Sequence, residues 1–241
     1  MSPLLSVVVP VKNEAPNIAP LVAEIRAALT EVAHEIVYVD DGSTDNTPHV
    51  LAGEAASGGL RFLRHATSCG QSAAIVTGVR AAAGTWIATL DGDGQNDPAD
   101  IPALLERALR EGGKVLIAGH RTERRDSFMK RFASRFANRL RAALLRDATP
   151  DTGCGLKVFP RESFLELPAF DHMHRFLPAL FLRAGGRVLS VPVRHRPRLR
   201  GASNYGTLDR ALVGVVDLAG VAWLQRRWKR PVIEAPRADP G

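Results

Sequence analysis

Cysteine is scarce: the 241-residue chain has two, Cys69 and Cys154, with no C-x-x-C spacing. That excludes a disulfide framework, argues against a structural zinc site and fits a reducing compartment. Aromatic residues make up 6% of the chain, and they are sparse in its basic segments apart from a few phenylalanines. Base-stacking recognition of nucleic acid is therefore not expected. Long apolar runs are missing too. The longest late stretch, "ALVGVVDLAGVAWL" at 211–224, is shorter than a membrane span needs and carries Asp217. It reads as a buried or interfacial helix. The N-terminus has no basic-then-apolar layout of a secretion signal. No Walker A loop occurs, and no G-x-G-x-x-G follows the first apolar run, so a P-loop or a dinucleotide site is not expected. Two acidic loops open like calcium loops, but they lack the glycine at loop position six and the glutamate at twelve.

Positive charge is present in excess but unevenly. The formal net charge is +7, divided as −7 over residues 1–100 and +14 over the remainder. A basic second half points to a polyanionic partner such as a membrane surface, a phosphate-bearing substrate or nucleic acid. Solvated surface arginines are the plainer alternative.

Up to residue 121, strand-like and helix-like segments alternate. "LSVVVP", "EIVYVDDGS", "LRFLRH", "TWIATLDGDG" and "KVLIAGHR" read as strands. Between them lie helical segments. "APNIAPLVAEIRAALTEV" has Ile18, Leu21, Val22, Ile25 and Leu29 on one face, with Asn13 as an expected cap. "TDNTPHVLAGEAAS" is expected to be capped near Thr44 or Asp45. "GQSAAIVTGVRAAAG" is a small-residue helix expected to end at Gly84, and "DPADIPALLERALREGG" completes the set. Such alternation predicts an α/β fold with a mixed, mostly parallel sheet and helices on both faces. Ligands bind such sheets at the carboxyl ends of the strands. "VDDGS" and "DGDGQ" both fall at strand ends, on one rim.

Beyond residue 121 the character changes. In "RTERRDSFMKRFASRFANRLRAALLRD", Phe128, Phe132, Phe136, Leu140 and Leu144 recur every fourth residue, with Arg131, Arg135 and Arg139 alongside. A helix lying in a membrane interface fits this pattern, and so does a helix packed on the domain with an arginine-lined outer face. From Arg194 to Gly206, four arginines and His195 crowd together. That density is hard to explain as packing and reads as an anion-binding flap. Residues 231–241 are expected to be disordered.

Asp91 and Asp93, one residue apart at a strand end, supply hard oxygen ligands. Such a pair suits Mg²⁺ or Mn²⁺ shared with substrate phosphates, and the metal would neutralise a departing diphosphate. A nucleoside diphosphate leaving group and a phosphorylated acceptor on the basic half fit that layout. Cys154 has no adjacent base and reads as a packed residue.

"SVVVPVKNE", "VYVDDGSTDNT", "GQSAAIVTGV", "ATLDGDGQNDP" and "DTGCGLKVF" occur in that order. Together they resemble the family 2 glycosyltransferases of GT-A fold, and most closely the polyprenyl-phosphate enzymes of the dolichol-phosphate mannosyltransferase type. The resemblance runs from about residue 4 to about 227. It implies a nucleotide-sugar part (1–120), an acceptor part with a basic amphipathic helix and basic loop (121–206), and a C-terminal amphipathic segment (207–230). It also implies roles. Pro10, Asn13, Glu14, Asp40 and Asp41 would lie at the nucleotide. Asp91, Asp93 and Gln95 would hold the metal and diphosphate. Arg121, Lys130 and Ser134 would hold the acceptor phosphate. Arg198, Ser203 and Tyr205 would close on the donor diphosphate, so Asp93 and Arg198 carry most of the catalytic expectation. Lysine often stands in the family where this chain has Asn204.

The activity so implied is inverting transfer of a sugar from a nucleotide-diphosphate sugar to a polyprenyl phosphate. It would take place at the inner face of the cell membrane, on a peripheral protein held by residues 126–146 and 207–228. A homo-oligomer is left open. Two rivals stand beside it: a family 2 transferase acting on a polysaccharide or other hydroxyl, with Asp151 as a candidate base, and a non-catalytic basic membrane or nucleic-acid module.

Overall fold

The computed structural model describes residues 3–121, 141–142, 144–147, 149–197 and 207–227, the last segment up to 213 as backbone only. Its centre is a seven-stranded sheet in the order β3-β2-β1-β4-β6-β5-β7. The strands are β1 (Leu5–Val11), β2 (His34–Asp40), β3 (Leu60–Arg64), β4 (Trp86–Thr89), β5 (Val115–Arg121), β6 (Lys157–Pro160) and β7 (Arg187–Val193). All neighbouring pairs are parallel except those of β6, which runs antiparallel to both β4 and β5. The mixed, mostly parallel sheet expected from the alternation is therefore present.

Strand β1 explains the layering. Leu5, Val7, Val9 and Val11 enter one apolar cluster while Val8 enters the other. Successive side chains of a strand point to opposite faces, so a run that is apolar on both must be covered on both. Helices α1 (Ala15–Ala28), α2 (Thr47–Ala56) and α4 (Ile101–Glu111) serve the first cluster, through Ile18, Leu51 and Leu104 among others. Helices α3 (Gln71–Ala81), α5 (Arg161–Leu165), α6 (Leu177–Arg183) and α7 (Thr207–Arg227) serve the second, through Ile75, Phe164, Phe181 and Val221.

The chain moves outward from β1 through β2 to β3, then returns to β4 on the other side of β1. This reversal opens a crevice beyond the carboxyl ends of β1, β2 and β4, where ligands bind in sheets of this kind.

Several helix ends differ from the sequence expectation. Asn13 does not cap α1; it has φ 56°, and Glu14 precedes the first helical residue. Its amide oxygen instead accepts from the Thr44 backbone N–H at 2.8 Å, while its own N–H donates to Ser43 Oγ at 2.9 Å. Tying two loops together prevails over capping. Asp45 does bond near the start of α2, accepting from Thr47 N at 3.0 Å. Helix α3 ends at Ala81, three residues before Gly84, because Ala82 is already extended. Gly84 is needed for another reason: a Cβ there would lie 2.7 Å from the Ser6 nitrogen. The 126–140 part of the basic amphipathic segment and the 231–241 tail lie outside the described residues.

The seat of α3 on the sheet depends on Gly78, where a Cβ would come within 2.4 Å of Val8 Cγ1 and 3.2 Å of Val39 Cγ2. Valine side chains are stiff and cannot swing aside. Gly78→Ala is expected to destabilise the protein by about 1–3 kcal/mol despite alanine's higher helix propensity. Chemical denaturation of the two proteins measures the difference.

Candidate active site

Strand β4 ends at Thr89, whose hydroxyl donates to the Gly155 carbonyl at 2.7 Å. This bond docks the 153–156 loop beside the strand end. Two residues on, the Asp91 carboxylate rests against the bare backbone of Gly155, where any Cβ would fall 2.2–2.5 Å from its carboxyl atoms. Gln71, the first residue of α3, donates its side-chain amide to Asp91 Oδ1 at 2.8 Å. Asp93 Oδ1 accepts from the Gln95 backbone at 3.1 Å and turns the loop, helped by Gly94 at φ 74°.

Burial, and then the Asp93 carboxylate nearby, push the Asp91 carboxyl up to about 6. Lys157, Gln71 and Arg121 pull in the opposite direction. Lys157 is itself buried, its ammonium donating to the Cys154 carbonyl, and desolvation holds its pKa below the usual lysine range. Two carboxylates crowded on one rim, one of them reluctant to ionise, form a donor set suited to a hard divalent cation.

The acids after β2 have different surroundings. Asp40 is fully buried, accepts from Ser43 N at 2.9 Å and pairs with Arg64 at 3.2 Å. Asp41 Oδ1 accepts from His65 Nδ1 (2.7 Å) and Cys69 N (2.8 Å), and Oδ2 accepts from Ser68 Oγ (2.7 Å) and Gly70 N (2.9 Å). Burial alone would raise the Asp41 carboxyl; these donors outweigh it and hold it below the ordinary carboxylate range. A carboxylate has about four lone-pair sites, so all of them are in use. His65 donates from Nδ1 to the carboxylate, and its Nε2 is hydrogen-bonded with Thr77 Oγ1 at 3.0 Å. Asp41, His65 and Cys69 bring ligand atoms within 4.8 Å of one another, but the Asp41 oxygens are saturated by the loop.

The basic segment after β7 is bound to the acidic loop. An isolated bridge joins Asn96 to His195, and Arg196 N donates to the Gln95 carbonyl at 2.9 Å. Arg196 pairs with Asp97 at 2.7 Å and Glu24 at 2.6 Å; Arg194 pairs with Asp100 at 3.0 Å and Asp97 at 3.3 Å. Two of the four arginines read as anion-binding are therefore engaged in anchoring. Arg198, Ser203 and Tyr205 lie outside the described residues, as do Lys130 and Ser134.

Arg121, at the end of β5, directs its fork at Asp151: Nε to Oδ2 at 2.6 Å and an Nη to Oδ1 at 2.8 Å. Both Asp151 oxygens are thereby engaged, which weakens its candidacy as a general base. Three guanidinium N–H donors of Arg121 remain for other partners. Pro10 is buried in β1 opposite Val39. Glu14 Oε2 accepts from Asn17 at 2.6 Å, at the start of α1.

The structure thus brings together Pro10, Asn13, Glu14, Asp40, Asp41, Asp91, Asp93, Gln95 and Arg121 along the carboxyl rim. Sequence reasoning assigned nothing to Gln71, Gly155, Lys157 or His174. His174 N donates to Ser72 Oγ at 3.2 Å, and the serine hydroxyl faces the ring Nδ1 at 2.7 Å. Burial, with Lys157, Arg175 and His172, pushes this imidazole down to about 3, so it is neutral. One signal was available: a lysine inside the apolar run "GLKVF" needs a buried partner.

The raised Asp91 pKa has a sign that can be tested. The unfolded chain releases this proton near 3.8 and the folded protein near 6. Metal-free protein therefore loses stability as pH rises across that window, and the loss is complete above it. Asp91→Asn is expected to stabilise metal-free protein at pH 7.5 by about 1–3 kcal/mol, with no gain at pH 3.5. Thermal melts at the two pH values decide it.

A family model described as glycosyl transferase family 2 matches residues 6–167. A dodecaprenyl-phosphate galacturonate synthase of Rhizobium johnstonii is 35% identical over 94% of this chain and 69% of its own length. An undecaprenyl-phosphate 4-deoxy-4-formamido-L-arabinose transferase of Edwardsiella ictaluri is 35% identical over 85% of this chain and 63% of its own. The chain thus spans about two thirds of the length of these relatives. Among solved structures, a mannosyltransferase of Pyrobaculum calidifontis in complex with GDP-Man and Mn²⁺ superposes with a TM-score of 0.65 at 23% identity, covering 96% of this chain and 66% of that one. Glucosyl-3-phosphoglycerate synthase of Mycobacterium tuberculosis, with Mn²⁺ and UDP-glucose, gives 0.66 at 20% identity over 92% of this chain and 79% of that one. The fold is GT-A, and the chain belongs to glycosyl transferase family 2.

Proposed function

We propose that the chain transfers a sugar from a nucleoside-diphosphate sugar to a polyprenyl phosphate, with inversion at the anomeric carbon. The observation that carries this reading is the Asp91/Asp93 pair, crowded at the point where the strand order reverses. The names of the relatives support the acceptor class, since both act on polyprenyl phosphates.

Asp91, Asp93 and Gln95 would hold a divalent cation, Mg²⁺ or Mn²⁺. Bound there, the ion supplies Lewis-acid stabilisation of the leaving diphosphate. The chain's own groups do the positioning. Gln71 and the Gly155 backbone fix the Asp91 carboxylate in one orientation. Asp41 acts on the nucleotide indirectly, by holding residues 68–70 in place. Asp40, Asn13 and Glu14 shape the same end of the slot, with Pro10 beneath them. Arg194 and Arg196 tether the segment that leads to Arg198, Ser203 and Tyr205, whose role is to cover the diphosphate.

The acceptor's phosphate oxygen attacks the anomeric carbon as the bond to the diphosphate oxygen breaks. A phosphate is already anionic at neutral pH, so no general base is needed, and rate comes from positioning and charge stabilisation. Arg121, held flat by Asp151, and Lys130 with Ser134 would receive that phosphate. The work would be done at the inner face of the membrane, on a peripheral protein. A family 2 transferase with a hydroxyl acceptor is the second reading; the pairing of both Asp151 oxygens with Arg121 weighs against it.

Radiolabelled UDP-sugars and GDP-sugars incubated with the protein, Mn²⁺ and undecaprenyl phosphate separate the readings. Label from one donor is expected in the organic phase, falling about 100-fold or more in Asp93→Ala. Label moving only to a water-soluble acceptor would refute the polyprenyl assignment.

A further inference from the structure

Helix α7 has two apolar faces, which is more than packing uses. Val221 is buried, and Leu218, Ala222 and Leu224 pack against the second cluster. On the other side Val215 is 66% exposed, Val216 71% and Trp223 58%. Val215, Leu218, Ala219, Ala222, Trp223 and Arg226 recur at helical spacing and line a trough of about 730 Å³. Among the described residues, no helix is long and apolar enough to cross a membrane.

The trough opens onto a second cavity of about 670 Å³, and the two share Leu144, Ala222 and Arg226. This crevice is lined by Arg146, Arg183 and Arg226, and no acidic side chain is among the described residues lining either cavity. Its walls are fixed. The Gln225 amide donates to the Leu145 carbonyl at 3.0 Å and the Ala179 carbonyl at 3.2 Å, and Arg183 Nε donates to the Leu224 carbonyl at 3.1 Å. Arg146 is held at φ 52°, a backbone position where glycine is normally found. Desolvation lowers the Arg183 pKa, yet a guanidinium stays charged throughout the working range. A preformed cationic crevice thus continues into an apolar trough.

That shape and charge fit an amphiphile with an anionic head. We propose that the crevice binds the phosphate head of an anionic phospholipid, with an acyl chain along the α7 trough. This rests on the peripheral-membrane part of the reading above and names the lipid class and the residues. Among the described residues the crevice shares no lining residue with the 91–95 loop, and the occupant proposed is a bilayer lipid, distinct from the sugar acceptor. Lipid binding here orients the protein on the membrane.

The test is co-sedimentation of the full chain with vesicles, with metal-dependent nucleoside diphosphate binding measured in parallel. Transfer activity is not read, so failure here and failure of the transferase reading are distinguishable. Wild type is expected to prefer phosphatidylcholine vesicles containing 30 mol%, or roughly a third, phosphatidylglycerol. Arg146→Gln/Arg226→Gln, which leaves Arg183 and its carbonyl bond in place, should weaken that binding about tenfold or more. Arg107→Gln/Arg110→Gln removes the same charge elsewhere and should change it by less than about twofold. Trp223→Ser should weaken binding to both vesicle types. Equal losses in the two arginine pairs would mean a general field and no site, and would overturn the proposal. So would an unchanged Arg146→Gln/Arg226→Gln protein. Recruitment by undecaprenyl phosphate in phosphatidylcholine, lost in the same variant, would assign the crevice to the acceptor and overturn it equally.

Discussion

The carboxylate of Asp91 sits on bare backbone at Gly155, within the field of a second carboxylate. An acid held this way is costly to ionise without a counter-cation. Much of the surrounding structure serves to keep it there. Thr89 ties the β4 end to Gly155, Gln71 reaches across from α3, and buried Lys157 braces the Cys154 carbonyl. Antiparallel β6, inserted between β4 and β5, delivers Gly155 and Lys157 to the same rim as Asp91.

Around that point the loops hold one another. Asn13 joins the β1 loop to the β2 loop, Asp41 joins β2 to residues 68–70, and Arg196 joins the basic segment to the acidic loop. Each spends polar side chains on joining one loop to another. The rim is therefore preorganised largely by charge-assisted hydrogen bonds, which are stronger and more directional than neutral ones. Family membership, the GT-A fold and this rim agree with each other, and the polyprenyl-phosphate relatives extend the reading to the acceptor.

Most of the sheet was legible in the sequence because apolar runs on β1, β2 and β4 alternate with amphipathic helices at regular spacing. The acidic pair was legible because it closes a strand. Less legible was anything set by partners distant in the chain. Asn13 looked like a cap because capping is a local preference, whereas Thr44 and Ser43, some thirty residues on, take its bonds. The arginines at 194 and 196 looked like free cations because their acids lie far away, at Glu24, Asp97 and Asp100. Gly84 looked like a helix stop; its real constraint is the backbone of Ser6. Gln71, Lys157 and His174 gain meaning only when β6 and α3 are placed beside β4.

The central claim is that Asp91 and Asp93 hold a metal ion and, through it, a nucleotide. Calorimetric titration of UDP and of GDP, each with and without Mn²⁺, into wild type and Asp93→Ala tests it most directly. One diphosphate is expected to bind wild type only with Mn²⁺, and to lose that binding in Asp93→Ala. Equal binding with and without metal, or an undiminished Asp93→Ala, would contradict the account.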